Sequence, residues 1–433
     1  MQKLYLASHM TKRREFLRIG GLAASSLLFK WQDVSAMSQA KPMLRQANGE
    51  INWKKIRKEF PLDKNRIFLN NGTMGPSPHS VMKAVWDSMN RVNTMASYGG
   101  WEVAVEPLAH YFGADPDEIA LTHNVTDGIN VIAQGLPLNE GDELIISNQE
   151  HVGNALPWLT RARRDKLNVK VLDLSLPDER VLAELKRMIG PKTRVIALPH
   201  IPCTNGRVIP ANEIGKIAEE NNLFFFLDGA HGAGMIDLDF KTLRCDYYAS
   251  CTHKWMLGPK GTGFLFIRKK GLKDITPIFT GAYSDTGWDL IHGNPRIFGW
   301  SDKASRHTNG TQSRSLYEGV AAAVAFHDAI GKQGVAGRIR ELNDHLYHQL
   351  KELKGIQLIT PENARAGICS FTFDQKNYIE FHHFCQKKEI IVRSVPENEV
   401  NAIRVSTHIY NSTEEIDTFV KTLQQYLYAG KGN

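Results

Sequence analysis

The sequence of 433 residues lacks a long hydrophobic run, and its five cysteines form no CxxC pair and no zinc-type spacing. A membrane-spanning helix needs roughly 18 to 20 apolar residues, so no stable membrane insertion is expected. The cysteine count is odd, and most of the cysteines lie in apolar runs. This pattern favours buried free thiols over a disulfide framework, and no metal site is predicted.

Blocks of one charge are also missing from most of the chain. The formal net charge is +7, and residues 1–36 contribute +4 of it through six Lys/Arg and two Asp/Glu. The rest of the excess forms no basic block or stripe, so nucleic acid is not expected as a partner. Hydrophobic residues make up 42% of the chain and charged residues 23%. This composition is typical of a globular protein with a sizeable core.

The first 36 residues have the pattern of an export signal. Residues 12–18 read Lys-Arg-Arg-Glu-Phe-Leu-Arg, a short apolar stretch follows at Ile19–Phe29, and Val34-Ser35-Ala36 offers small residues for cleavage. The segment resembles a twin-arginine signal peptide. It predicts export by the twin-arginine machinery and a periplasmic or extracytoplasmic mature protein. The alternative is a basic N-terminal helix of a cytosolic enzyme.

The remaining chain alternates strand-like and helical segments. Strand candidates are short apolar runs, as expected for parallel strands buried on both faces: Glu143–Ser147, Val169–Leu174, Arg194–Pro199, Leu223–Leu227 and Gly263–Arg268. Helical stretches such as Asp178–Ile189 and Ala211–Glu220 separate them. This alternation predicts an α/β fold, with a mostly parallel sheet covered by helices on both faces.

The predicted domain order follows from where the pattern changes. Residues 37–65 are interpreted as an N-terminal arm, 66–315 as the large domain, and 316–433 as a smaller α+β C-terminal domain. In the C-terminal part, strands are predicted at Gly367–Phe373, Ile390–Ser394 and Ala402–Ser406, and helices elsewhere, including Thr413–Tyr428. Segment 276–310 shows no clear periodicity, which is more typical of a functional or interfacial segment than of an idle loop.

Two charged residues of the large domain point to chemistry. Asp228 directly follows the buried strand Leu223–Leu227, at the position where open α/β sheets bind ligands. Lys254 stands beside His253 and ahead of the glycine-rich turn Gly258–Gly263. A lysine in this setting is a candidate for Schiff-base catalysis.

These residues, in this order, resemble the class V aminotransferases, a branch of the fold-type I pyridoxal 5′-phosphate (PLP) enzymes. The resemblance covers about residues 66–425 and is strongest to the isopenicillin N epimerase-like group. It implies PLP as cofactor, with Lys254 as the Schiff-base lysine and Asp228 against the pyridine nitrogen, where a carboxylate keeps that nitrogen protonated. His231 corresponds to the residue near the ring's phenolic oxygen. Lys260, in a family Gly-Pro-Lys-Gly turn, is interpreted as structural.

The resemblance also assigns the phosphate and the face of the ring. Val125 and Thr126 open a helix in the family's phosphate loop, where backbone N–H groups bind anions. His253 is a further phosphate contact, and His151 corresponds to the histidine that stacks on the ring. Thr311 corresponds to a threonine that reaches the site of the neighbouring subunit, which implies a homodimer.

Two arginines are candidates for the substrate carboxylate. Arg404 matches the family's C-terminal arginine motif, and Arg393 is the second candidate, since a guanidinium binds carboxylate through two bonds. The loop 393–398 contains no cysteine, which disfavours persulfide-forming desulfuration. Cys251 and Cys203 stand where family members carry serine and asparagine.

The expected function is that of a PLP-dependent enzyme acting at Cα of an amino acid or a small amino-acid-containing substrate. An epimerase like the isopenicillin N epimerases or an aminotransferase is the first interpretation. A C–S lyase is the second, and a non-catalytic PLP-fold binding protein is the third. These reactions share their early steps, so the motifs of the common site do not separate them.

Overall fold

The computed structural model describes residue 44, residues 48–97 and residues 99–428. The predicted signal peptide at 1–36 lies outside the described residues, so its prediction stands as it was. Among the residues described, no helix is long and apolar enough to cross a membrane.

Fifteen strands occur in the described chain. In chain order they are β1 (Ile67–Phe68), β2 (Ile119–Thr122), β3 (Glu143–Ser147), β4 (Asn168–Leu172), β5 (Thr193–Pro199), β6 (Phe224–Asp228), β7 (Tyr247–Cys251), β8 (Gly263–Ile267), β9 (Trp288–Asp289), β10 (Arg296–Ile297), β11 (Ile356–Leu358), β12 (Ile368–Phe373), β13 (Ile390–Ile391), β14 (Arg393–Val395) and β15 (Ala402–Ser406).

Eleven α-helices connect and cover them in the same part of the chain. They are α1 (Trp53–Lys58), α2 (His79–Met95), α3 (Val105–Phe112), α4 (Val125–Gly135), α5 (Val152–Asp165), α6 (Asp178–Met188), α7 (Ala211–Glu220), α8 (Arg314–Ile330), α9 (Lys332–Lys351), α10 (Tyr378–Lys387) and α11 (Thr413–Tyr428).

The main sheet has seven strands in the order β2-β8-β7-β6-β5-β3-β4. Strands β3 to β7 pair in parallel, and only β8 runs against its two neighbours. The central strands are buried at nearly every position, because helices cover both faces of the sheet. The prediction of a mostly parallel sheet is confirmed.

Helices lie on both faces because successive strand residues point in opposite directions. On β3, Leu144 and Ile146 join the core formed with α4 and α5, whereas Ile145 joins the core formed with α3, α6, α7 and α8. Two separate apolar cores therefore enclose the sheet and hold its strands rigidly. The ends of these strands form the platform on which the functional residues lie.

A second, four-stranded antiparallel sheet follows, in the order β11-β12-β15-β14. Helices α9, α10 and α11 pack on it around Leu346, Phe381 and Phe419. The N-terminal part of the described chain also reaches this region, since β1 pairs in parallel with β13. The predicted α+β C-terminal part is confirmed as a fold element, and β1 brings the following residues 70–75 close to it.

Segment 276–310 forms a short antiparallel hairpin, β9 with β10, and a 3₁₀ helix at Ala304–His307. Its apolar side chains are unusually exposed, and Ile291 at the hairpin tip has 85% of its surface accessible. The exposed residues are Ile278, Phe279, Tyr283, Trp288, Leu290, Ile291, Ile297 and Phe298. An apolar surface of this kind is typical of an interaction site.

Candidate active site

The carboxyl ends of the parallel strands open into a cavity of about 250 Å³. Strand β6 ends at Asp228, the loop between β7 and β8 carries Lys254, and α4 begins directly beyond β2. Nine of the residues predicted from the sequence line this one cavity: Val125, Thr126, His151, Asp228, His231, His253, Lys254, Arg393 and Arg404.

Asp228 is a buried carboxylate with one oxygen left without a partner. Its Oδ1 accepts a hydrogen bond from the Ala230 backbone N–H at 2.9 Å, and no described residue donates to Oδ2. Burial raises the pKa of the carboxyl, while the Ala230 bond and the positive charge of Lys254 oppose that rise. A buried carboxylate needs a charge-matched partner, so this geometry fits a cationic N–H donor inside the cavity.

Lys254 lies in a short loop that is fastened at both ends. The Thr252 N–H donates to the Thr262 carbonyl at 3.1 Å, and the Gly258 N–H donates to the Thr252 carbonyl at 2.8 Å. The Lys254 amine makes no hydrogen bond to any described residue. Lys260 differs, because its amine donates to the Gly75 carbonyl at 2.9 Å and to Ser77. The loop therefore presents one free amine to the cavity.

The start of α4 offers an anion site. Asn124 caps the helix by accepting a bond from the Asp127 N–H at 2.9 Å, and Val125 and Thr126 are the first two helical residues. The backbone N–H groups of a first helical turn have no acceptor within the helix and lie at its positive end. His253 lines the same cavity and has a buried Nδ1 without a hydrogen-bond partner. Together these groups fit a phosphate.

His151 is held in one orientation because it caps α5. Its Nδ1 accepts a hydrogen bond from the Gly153 N–H at 3.0 Å. A neutral ring that accepts at Nδ1 carries its proton on Nε2. Burial, reinforced by the charges of Lys254 and Arg393, lowers the pKa of His151 to about 4. At neutral pH the side chain is therefore an uncharged N–H donor on the cavity wall.

The two arginines of the cavity differ in how they are paired. Arg393 forms an ion pair with Glu397. Arg404 is 1% exposed and has no carboxylate partner among the described residues. Its Nη1 donates to the Cys203 carbonyl at 3.2 Å, its Nη2 donates to Thr73 at 2.9 Å, and its Nε has no partner. Burial beside Arg393 lowers the pKa of Arg404 to about 10. Arg404 is thus the better carboxylate site.

Residues 70–75 form part of the site that the sequence did not reveal. Gly72 and Thr73 line the cavity beside Arg404. A Cβ on Gly72 would lie 2.8 Å from Ser406 Oγ and 3.1 Å from Arg404 Nη2, so only glycine leaves the guanidinium its place. The sequence Asn-Asn-Gly-Thr-Met-Gly-Pro signals a turn, but nothing in it indicates a partner more than 300 residues away.

Glu150 is a second buried carboxyl that was not singled out. Its Oε1 accepts from the Ser147 hydroxyl at 2.7 Å, and its Oε2 accepts from Asn154 at 2.7 Å. Burial raises the pKa of Glu150 to about 8, and the negative charge of Asp228 adds to the rise. Glu150 is therefore largely protonated at neutral pH and adds little negative charge beside Asp228.

Three further positions named from the sequence, Thr311, Cys203 and Cys251, differ in how they lie relative to the cavity. Thr311 is exposed and does not line the cavity of its own chain. Cys203 is buried in the cavity wall, and burial raises the pKa of its thiol. Cys251 is buried behind the wall, and burial raises its pKa to about 11. Neither thiol has the low pKa of a reactive cysteine.

The comparisons with known proteins agree with this geometry. The family model "Aminotransferase class-V" matches residues 83–419. The isopenicillin N epimerase of Amycolatopsis lactamdurans is 30% identical, over 86% of this chain and 98% of its own. A probable cysteine desulfurase of Methanothermobacter thermautotrophicus is 25% identical, over 87% of this chain and 98% of its own.

Solved structures show the same similarity. A mutant of C-DES with glycine covalently linked to its PLP cofactor superposes with a TM-score of 0.78 at 27% identity, covering 85% of this chain and 98% of that one. A complex of C-DES, described as a cystine C–S lyase, with its product cysteine persulfide gives a TM-score of 0.76 at 27% identity, covering 83% and 97%.

The residues of the cavity fit PLP group by group. The unpartnered Asp228 oxygen suits a protonated pyridine nitrogen, the α4 N-terminus and His253 suit the phosphate, and the Lys254 amine suits the aldehyde. No described residue offers a competing partner for the Asp228 oxygen or the lysine. The chain therefore belongs to the class-V aminotransferase family, with the fold-type I architecture and with pyridoxal 5′-phosphate as its cofactor.

Proposed function

We propose that the protein is an enzyme that acts at Cα of an amino acid or a small amino-acid-containing substrate, as an epimerase or an aminotransferase. The observation that carries the proposal is that the Arg404 guanidinium, which has no acidic partner among the described residues, lies in the same cavity as the Lys254 amine, which has no hydrogen-bond partner there. One group fits an α-carboxylate, and the other fits the attachment and deprotonation of the amino-acid centre next to it.

The residues divide the work by their chemistry. PLP, when bound, supplies an electron sink that accepts the charge left at Cα. Asp228 keeps a positive N–H partner in place, Lys254 moves the proton at Cα, and Arg404 orients the substrate through its carboxylate. His151 offers an N–H rather than a base at neutral pH, because its Nδ1 is occupied by the Gly153 bond.

The number of cavity arginines without an acidic partner bears on the substrate. Arg393 is neutralised by Glu397, so Arg404 is the one arginine of the described cavity without an acidic partner. A substrate with one carboxylate at the reacting end therefore fits better than one with a second carboxylate close by. The rest of the substrate is left to other walls of the site.

A C–S lyase is the second candidate, and the similarity to the cystine lyase C-DES favours it. Desulfuration through a protein persulfide is disfavoured by the described cysteines. All five are buried, and burial raises the pKa of the two nearest the cavity, Cys203 and Cys251. Sulfur chemistry at this site would thus release the sulfur product without a protein thiol as acceptor.

The first experiment is a visible absorption spectrum of the purified protein with added PLP, before and after a panel of L-amino acids. Lys254→Ala is the control. Conversion of the cofactor to its amine form with one amino acid identifies an aminotransferase and its donor. Exchange of the Cα proton for deuterium with racemisation identifies an epimerase, and release of a keto acid and a thiol or persulfide identifies a lyase. A protein that stays colourless with PLP contradicts the proposal and favours a non-catalytic binding role.

We also propose that the protein is exported by the twin-arginine machinery and works outside the cytoplasm. Arg13 and Arg14 carry the proposal, together with the apolar stretch behind them. Replacing both arginines with lysine preserves the charge and should leave the uncleaved chain in the cytoplasmic fraction. Processing and export of the double-lysine variant at the wild-type rate would rule out this route.

A further inference from the structure

Trp255, the residue after Lys254, is completely buried and contacts the cavity wall through one hydrogen bond. Its Nε1 donates to His231 Nδ1 at 3.0 Å. An indole nitrogen can only donate, so His231 must accept at Nδ1. A neutral imidazole that accepts at one nitrogen carries its proton on the other, which is Nε2 here. Trp255 thus determines which ring nitrogen of His231 is the hydrogen-bond donor.

His231 is held in the neutral form by its surroundings. It is 3% exposed, and the charged and titratable groups that act on it are Lys254, Arg404, His151 and Arg393, none of them acidic. Burial and these charges lower the pKa of His231 well below its ordinary value. The ring lines the cavity, and no described residue accepts a bond from Nε2. The result is a single N–H donor, without a protein acceptor, at the cavity wall.

Trp255 is itself fixed by the segment that follows Arg404. Its ring stacks on His408 with the centroids 5.6 Å apart and an angle of 25°. His408 Nδ1 accepts from the Ile409 N–H at 2.8 Å, so His408 Nε2 carries the proton and donates to the Trp255 carbonyl at 3.0 Å. Tyr410 also stacks on His408, with the centroids 5.6 Å apart. The orientation of the indole N–H is therefore determined by packing as well as by His231.

We propose that Trp255 is a positioning residue, which holds His231 in the tautomer that offers its Nε2–H to an anionic oxygen of the bound ligand. The inference rests on the proposed function, and on that basis the oxygen is the ionised phenolic oxygen of PLP. Without the indole N–H, His231 can also adopt the other tautomer. In that tautomer the Nε2 lone pair of His231 faces the anionic oxygen, and the two repel each other. A fraction of the protein molecules therefore loses the donor.

The loss has a measurable effect on the cofactor. A donor bond to the phenolic oxygen withdraws electron density from it, and this lowers the proton affinity of the nitrogen that joins the cofactor to Lys254. Trp255→Phe removes the N–H but keeps a ring beside His408. We expect it to raise the pH midpoint of the cofactor's visible absorption band by about one pH unit, a tenfold change in proton affinity.

The control is the same substitution in a His231→Gln background. A glutamine amide donates without tautomers, so it has no need of Trp255. There Trp255→Phe should leave the midpoint unchanged. An equal shift in both backgrounds would show that Trp255 acts by packing alone, and no shift with His231 present would equally overturn the proposal.

A second measurement needs no variant of Trp255 and stays informative if that variant folds poorly. In the holoprotein labelled with ¹⁵N-histidine, the His231 signal, assigned by its loss in His231→Gln, should show a protonated Nε2 and an unprotonated Nδ1. The reverse pattern, or a mixture of both, would contradict the tautomer assignment. If wild type develops no visible band with PLP, the proposed function fails, whereas the nitrogen shifts of the protein without cofactor still test whether Trp255 sets the tautomer of His231.

Discussion

Arg404 and Arg393 occupy paired positions on neighbouring strands, yet their environments make them differ as binding sites for a substrate carboxylate. Arg393 forms an ion pair with Glu397, whereas Arg404 donates hydrogen bonds to neutral groups alone. Replacing Arg404 with lysine removes the planar fork that binds carboxylate through two bonds. We expect kcat/KM to fall by roughly 10- to 100-fold, from the loss of about 1.5 to 3 kcal/mol for a charge-assisted bond.

Arg393→Lys is the matched control, since it makes the same change one strand away. It should cost less than about threefold, a difference of well under 1 kcal/mol. Steady-state kinetics with the amino acid that responds in the spectral test measure both variants. Equal losses for the two would mean that both arginines bind the substrate and that the choice of Arg404 is wrong.

Glu150 makes stability depend on pH in a defined direction. Burial raises its pKa from 4.5 to about 8 in the folded protein. Between those values the folded state holds a proton that the unfolded state has released, so the free energy of unfolding decreases as pH rises. The contribution is at most about 1.4 kcal/mol per pH unit in that window. Glu150→Gln should flatten this part of the profile relative to wild type.

Urea unfolding at a series of pH values measures that difference. Glu143→Gln is the comparison, because hydrogen bonds from Lys170 and Thr193 lower the pKa of Glu143 rather than raise it. Its contribution is present above the ordinary pKa and is lost below it, so Glu143→Gln should alter the profile only below about pH 4.5. Profiles for Glu150→Gln and wild type that stay parallel between pH 4.5 and 8 would show that Glu150 does not titrate in this range.

At the residue scale, the sequence identified groups that stand in recognisable local settings. Asp228 follows a buried strand and Lys254 precedes a glycine-rich turn, and each setting is visible within about ten residues. Trp255 and Gly72 were missed because their roles depend on His231 and Arg404, and such distant contacts leave no mark on the local pattern. Thr311 matches a family position, and its predicted role across a subunit boundary stays a prediction.

The first turn of α4 joins helix stability to cofactor binding. Asn124→Ala removes the cap on the Asp127 N–H and should cost about 1 kcal/mol of stability. It should also weaken PLP retention severalfold, because the amides of Val125 and Thr126 lose their fixed orientation. Chemical denaturation measures the loss of stability. Dialysis of the holoprotein, followed by the decrease of its visible absorption band, measures the loss of PLP.

Asn377→Ala provides the control at the element scale. Asn377 caps α10 by accepting from the Ile379 and Glu380 N–H groups, and it does not line the cavity. Its loss should cost a similar free energy with unchanged PLP retention. If both variants weaken PLP retention equally, the effect reflects general stability and α4 has no special role in phosphate binding.

Predictions of whole elements succeeded where the local pattern was sufficient. Helices α7 and α11 and strand β15 have the predicted bounds, because apolar spacing and flanking turn residues define them. Strand β7 was missed, since Tyr-Tyr-Ala-Ser-Cys is less apolar than its neighbours. The predicted strand Ile390–Ser394 is two strands, β13 and β14, because its halves pair with different partners, β1 and β15. Partner choice is a tertiary property that a local pattern does not contain.

At the scale of the whole molecule, the apolar hairpin β9–β10 bears on the homodimer that the family resemblance predicts. Eight exposed apolar side chains cluster in segment 276–310, and exposed Thr311 follows directly. We expect the exposed hairpin to be covered by a second copy of the chain, which would also bring Thr311 to the neighbouring site. Replacing Leu290 and Ile291 together with aspartate places two charges on that surface and should yield a monomer.

Light scattering of the purified protein tests this prediction, with the mass of one 48.7 kDa chain, less any cleaved signal, as the unit. Val171→Asp is the control, since Val171 is also exposed but lies on the edge strand β4 of the main sheet. It should remain a dimer. A wild-type protein that runs as a monomer at micromolar concentration would contradict the homodimer itself.

The single reversed strand, β8, has a consequence for how this protein can change. Because β8 runs back beside β7, Lys254 lies in a connection whose two ends are tied together at Thr252 and Thr262. Adding or deleting a residue there would displace the amine, whereas the hairpin residues 288–297 make no hydrogen bond to a described residue that lines the cavity. A library that varies the length of both segments, sorted for retained colour, should recover insertions and deletions in 288–297 and none in 252–262. We expect the length of the hairpin, and the surface it offers to a second copy, to vary, while the reacting groups stay fixed to the sheet.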